Sequence, residues 1–86
     1  MSARRVGDAV LWRSARGYTA SDGEVAIVDA IFSDGRLRLT LRADDAPPEF
    51  NGLCSMVAAP SELSTVPPYR TDEVRVLTAR AARGGQ

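Results

Sequence analysis

Residues Arg36-Leu37-Arg38-Leu39-Thr40-Leu41-Arg42 alternate polar and apolar without a break, directly behind an Asp34-Gly35 pair. A helix would scatter the three leucines around its circumference, whereas a strand puts them on one face. The segment therefore predicts a strand, with Leu37, Leu39 and Leu41 toward a core and Arg36, Arg38, Thr40 and Arg42 outward. Asp-Gly between two strand-like runs predicts a type I′ hairpin, because both central residues of that turn need positive φ. One strand and its turn are thus legible at once, and a strand needs neighbours.

The neighbours follow from turn signals at short intervals. Asp8 to Arg13 reads as a first strand, with Val10 and Trp12 on one face and Ala9, Leu11 and Arg13 on the other. A polar loop, residues 14–22, leads to Gly23 and the apolar stretch from Val25 to Phe32. Its apolar residues occupy both parities, so that strand is either buried on both faces or bent by a bulge. After an acidic loop with Pro47 and Pro48, Asn51-Gly52 turns the chain into a fourth strand, Leu53 to Ala58. Pro60-Ser61-Glu62-Leu63 predicts one tight helical turn, and Ser64-Thr65-Val66 a short fifth strand stopped by Pro67-Pro68. From Tyr69 onward the pattern is ambiguous. Val74 and Val76 alternate as in a strand, while Thr71-Asp72-Glu73 ahead of Ala and Arg resembles a capped helix. The expectation is a short strand near Glu73 to Leu77 and a flexible tail beyond Ala79.

With 86 residues the chain fits one domain, and a domain of this size buries only about 60% of its unfolded surface. The expected division is a β-barrel domain over residues 1–68 and a C-terminal extension over residues 69–86. Composition excludes chemistry more firmly than it suggests any. There is no histidine and no lysine, and Cys54 is the single cysteine. That removes imidazole bases, Schiff bases and Ser-Lys or Cys-His nucleophile pairs. It also removes a zinc site and an internal disulfide. Exclusive use of Arg beside 13 Ala reads more simply as codon composition than as selection for bidentate contacts. No apolar stretch follows Arg4-Arg5, so a secretory signal is not expected. The run Val25-Ala26-Ile27-Val28 is far short of a membrane span. A cytoplasmic protein without cofactor, metal or membrane contact is expected.

Five short strands, a long first loop, a hairpin between the second and third strands and a one-turn helix before the last form a set. Its markers are Val6-Gly7-Asp8-Ala9-Val10, Gly23-Glu24-Val25, Asp34-Gly35-Arg36 and Pro60-Ser61-Glu62-Leu63. From about Val6 to Val66 the chain resembles the small Src-homology-3-like barrel, in its Tudor or KOW variety. The resemblance implies an all-β fold and a binding module that engages peptides, modified side chains or nucleic acid through loops and edges. One branch is enzymatic, the plasmid type II dihydrofolate reductases. Their Val-Gln-Ile-Tyr motif is missing where this chain has Leu53-Cys54-Ser55-Met56, so that activity is not carried over. A Tudor-like aromatic cage is not expected from Trp12, Tyr18, Phe32, Phe50 and Tyr69, because Trp12 and Phe32 are needed inside.

The predicted partner-binding residues are Arg16, Tyr18, Arg36, Arg38, Arg42 and Phe50. Arg36, Arg38 and Arg42 share an outward strand face, which is either an anion-binding stripe or a solvated face whose arginines pair with acidic neighbours. The second reading is preferred. Arg16-Gly17-Tyr18 lies in the first loop, where it either grips a ligand or lets Tyr18 pack over the barrel mouth. Trp12 is expected in the core, and Cys54 among Leu53, Met56 and Val57 as a buried thiol. Asp44, Asp45 and Glu49 match no calcium loop and read as solvated.

Net charge is zero, with 11 basic and 11 acidic residues, whereas dedicated polyanion binders run strongly basic. Charge nevertheless comes in blocks, +3 over residues 1–16, −4 over 17–34, +3 over 35–42, −5 over 43–73 and +3 beyond. Such blocks suit specific protein pairing. The expected function is a non-enzymatic binding or adaptor module with a protein partner, homo-oligomer possible. The alternative is a nucleic-acid-associated barrel touching phosphates through the Arg stripe.

Overall fold

The computed structural model describes residues 4–13, 23–43 and 52–84. In chain order they form β1 (Ala9–Trp12), β2 (Glu24–Ile31), β3 (Leu37–Arg42), β4 (Leu53–Ala58), a 3₁₀ turn (Pro60–Glu62) and β5 (Leu63–Ser64). A second 3₁₀ turn (Pro68–Arg70) then leads into α1 (Thr71–Gly84). The five strands make one antiparallel sheet in the order β4-β3-β2-β1-β5. The sheet is open among the described residues, with β4 at one edge and β5 at the other. No helix among these residues is long and apolar enough to cross a membrane.

The alternation in β3 does what its period requires. Leu37, Leu39 and Leu41 are buried, and they gather Val10, Ala26, Val28 and Ala58 into the first core. Taking Leu37 and Leu39 fully out of water contributes roughly 1.5–3 kcal/mol each. β2 is buried on both faces and also bulged. Ala26 and Val28 enter the first core, while Val25 faces the other way with Leu11 and Leu77. Pairing with β3 shifts between Val28↔Leu39 and Ala30↔Arg38, leaving Asp29 as the extra residue.

The β2–β3 hairpin differs from the expected two-residue turn. Phe32 N–H donates to the Arg36 carbonyl at 2.8 Å, and Gly35 N–H to the Phe32 carbonyl at 3.0 Å. Ser33, Asp34 and Gly35 therefore make a three-residue loop that ends on Gly35 at φ 92°. Loops of that length commonly finish on a left-handed residue, so glycine is placed where the sequence suggests, in a different turn.

Residues 71–84 correct the expected strand and flexible tail: they are one helix. Val74, Leu77 and Ala81 fall at i, i+3 and i+7 on one helical face, so the Val74–Val76 alternation was incidental. Val76 is half exposed, whereas Leu77 is 4% exposed against Leu11 and Val25. Asp72 and Glu73 occupy the first turn, where the helix dipole favours negative charge. Sheet and helix thus share an apolar cluster across the expected 68/69 boundary. β5 is shorter than expected and begins at Leu63; Val66, beyond it, packs on that second cluster.

Cys54 is a second correction: it is exposed, not buried. It points to the same side as Leu41, its partner on β3, but among the described residues β4 is an edge strand with no strand beyond it.

Candidate interaction surface

The outer face of the sheet carries the three predicted arginines that fall among the described residues. β3 alternation sends Arg38, Thr40 and Arg42 away from the first core, and Arg36 sits in the hairpin just before them. Arg16, Tyr18 and Phe50 lie outside the described residues, as do Asp44, Asp45 and Glu49.

The arginines do not form a uniform stripe. Arg36 donates twice to Asp34, from its backbone N–H to Oδ1 at 3.1 Å and from Nε to Oδ2 at 2.8 Å. These bonds, the backbone one first, hold the Asp34 carboxyl below its ordinary range. Arg38 Nε donates to Asp29 Oδ1 at 2.5 Å, and Thr40 Oγ1 donates to Asp29 Oδ2 at 2.6 Å. Asp29 sits at the β2 bulge. It shares the parity of Val25 and Ile27, so alternation sends it to this face, and as the extra residue it reaches Arg38 and Thr40 together. Arg42 stands apart, beside α1.

There the sheet and helix bound a groove of about 180 Å³. Val25, Val76 and Leu77 give it an apolar floor, and Arg42, Glu73 and Arg80 line it with charge. Glu73 is held in place by Arg70, whose Nε and Nη2 donate to its two oxygens at 2.6 and 2.8 Å. That bidentate bond, opposed by partial desolvation and helped by the Arg70 and Arg42 charges, lowers the Glu73 pKa. Arg70 is 8% exposed, and its Nη1 donates to the Gly23 carbonyl at 2.8 Å.

At the C-terminal end of β1, Trp12 packs against the first core, and its indole N–H donates to Glu62 Oε2 at 3.2 Å. Glu62 Oε1 accepts the Ala59 N–H at 3.0 Å, and the Glu62 carbonyl accepts the Arg13 N–H. One residue therefore fixes the 3₁₀ turn, the tryptophan and the end of β1.

Sequence reasoning missed Asp29, Glu62, Arg70 and Glu73. Asp29 carried a signal, as the one charged residue inside an otherwise apolar run. Arg70 carried none, because its carbonyl partner is 47 residues away. Among the described residues no group of three His, Cys, Asp or Glu side chains comes together to hold a metal ion.

Comparison of the chain with family models, curated proteins and solved structures gives no match.

Proposed function

We propose that this chain is a non-enzymatic adaptor module of the cytoplasm, a small Src-homology-3-like barrel that engages a protein partner through its loops and its Arg-bearing face. The strand order β4-β3-β2-β1-β5 and the 3₁₀ turn just before β5 support the barrel reading. An exposed thiol suits a reducing compartment.

One observation carries the choice of partner class. Arg36 and Arg38 each hold a carboxylate of their own chain, Asp34 and Asp29. A phosphate would have to displace those oxygens, whereas a protein surface with alternating charge can meet arginine and aspartate together. The zero net charge points the same way.

The test has two arms. Fluorescence anisotropy with labelled duplex and single-stranded DNA should show no submicromolar binding at about 150 mM salt, where nonspecific contacts alone rarely bind so tightly. Submicromolar binding with a log-log salt slope of about −2.7, three phosphate contacts' worth, would overturn the reading. In the second arm, a partner captured from the native cell is purified and titrated against wild type and Asp29→Lys. Reversing that charge should weaken binding mainly through a slower association rate, and a partner indifferent to it does not use this face.

A further inference from the structure

We propose that the protein forms a two-fold dimer by antiparallel pairing of β4 with β4 of a second copy. This stands independently of what the Arg-bearing face binds.

The two sheet edges are built differently. β5 is two residues long and is followed by Pro67-Pro68, so it offers almost no ladder to another chain. β4 is six residues long, Leu53-Cys54-Ser55-Met56-Val57-Ala58, and pairs only with β3 among the described residues. Folded proteins blunt such an edge with charge, proline or a bulge. β4 has no charged residue and no proline, and its pairing with β3 runs without a register shift. About 20 Å of backbone donors and acceptors is therefore in position to pair.

The sequence leading into β4 does not read as a strand that would fill this edge. Residues 44–51 adjoin β4, yet Pro47 and Pro48 bring no N–H to a ladder.

Charge selects a second copy over a foreign strand. Antiparallel self-pairing brings a strand against its own sequence, so any charge in it meets its like. An uncharged β4 meets no such repulsion, so its edge can take a second copy of itself at no electrostatic cost. Side chains on both faces are compatible, since Ser55 and Val57 are exposed on the outer face and Cys54 on the inner one. Strand pairing alone makes a small interface, so the dimer belongs in the micromolar range.

The full chain is tested by sedimentation equilibrium over a concentration series, with hydrogen exchange read on the same samples. Mass should rise toward twice 9.2 kDa. β4 amides should exchange about fivefold more slowly at ten times the dissociation constant than in dilute solution, while β5 amides do not change. Ser55→Lys, at the centre of the strand and exposed, places two like charges near the two-fold axis. It should weaken the dimer at least tenfold with an unchanged circular dichroism spectrum. Because the exchange arm uses wild-type protein, misfolding of the variant would not shelter the proposal. A monomer up to millimolar concentration overturns it. So does a dimer whose β4 amides gain no protection, or whose mass a folded Ser55→Lys leaves unchanged. A monomer that protects β4 only on addition of an extended peptide would assign the edge to a foreign strand, and also overturns it.

Discussion

Arg70 donates from Nη1 to the carbonyl oxygen of Gly23 at 2.8 Å, joining the turn before α1 to the residue just ahead of β2. The other side of the same guanidinium is occupied by Glu73. A nearly buried cation is tolerable only when its donors are satisfied, so helix, turn and sheet are positioned together by one side chain.

Glu73→Gln removes the charge that balances Arg70 while keeping one acceptor. It should lower stability by about 1–2 kcal/mol at neutral pH, in line with a half-exposed charge-assisted bond. The native Glu73 pKa is lowered, so the folded state binds fewer protons than the unfolded one in acid. Its stabilisation is complete above the unfolded value of about 4.3 and is lost as pH falls through that value and on through the lower native one. Urea melts across pH 2 to 7 should therefore converge for variant and wild type at the acid end. A constant gap would show that Glu73 acts through packing.

Gly23 and Gly35 both have positive φ, at 85° and 92°, yet replacing each with alanine should have unequal effects. A Cβ at Gly35 meets nothing within 4 Å, so Gly35→Ala carries only the left-handed backbone strain, about 1–2 kcal/mol. At Gly23 the new atom lies 2.9 Å from the Trp12 carbonyl oxygen, a backbone atom that cannot step aside. Gly23→Ala should cost clearly more, about 3 kcal/mol or above, because strain and overpacking combine. Equal melting temperatures for the two variants would contradict this.

Leu77→Ala probes whether α1 belongs to the folded unit. Leu77 is 4% exposed against Leu11 and Val25, so truncation should cost about 2–4 kcal/mol. The loss should appear as a single cooperative transition in thermal melts followed by helix and sheet signals alike. An early loss of helix with the sheet intact would mean that α1 docks as an appendage.

Glu62→Ala should redden and weaken the Trp12 fluorescence and lower stability by about 1–2 kcal/mol, since it strands the indole N–H and the Ala59 N–H together. Glu62→Gln, which keeps both acceptor geometries within reach, should recover much of the loss. Unaltered emission in Glu62→Ala would place Trp12 under the control of the core alone.

What could be read from the chain beforehand follows from the range of each interaction. β4 was legible to the residue and β3 to within one, because a period of two is local, and so to within one was the 3₁₀ turn at Pro60. The helix was obscured because its polar face carries Arg75, Thr78 and Arg80, so its apolar stripe rests on Val74, Leu77 and Ala81 alone. Cys54 was misjudged for another reason. Burial of a strand residue depends on whether its strand is central or at an edge, and strand order is not written in local pattern. Three of the six predicted site residues are placed; two of them, Arg36 and Arg38, lie beside carboxylates, one in its own turn and one across on β2.

That bulge makes the electrostatic character of the outer face a matter of counting. Delete one residue from β2 at position 29, and the strand resumes strict alternation with no carboxylate set between Arg38 and Thr40. Every arginine stays where it is and Arg36 keeps Asp34, yet the strand part of this surface turns from zwitterionic to cationic. A lineage could thus change what this face attracts by an insertion or deletion of a single codon, leaving every basic residue and the whole leucine core in place.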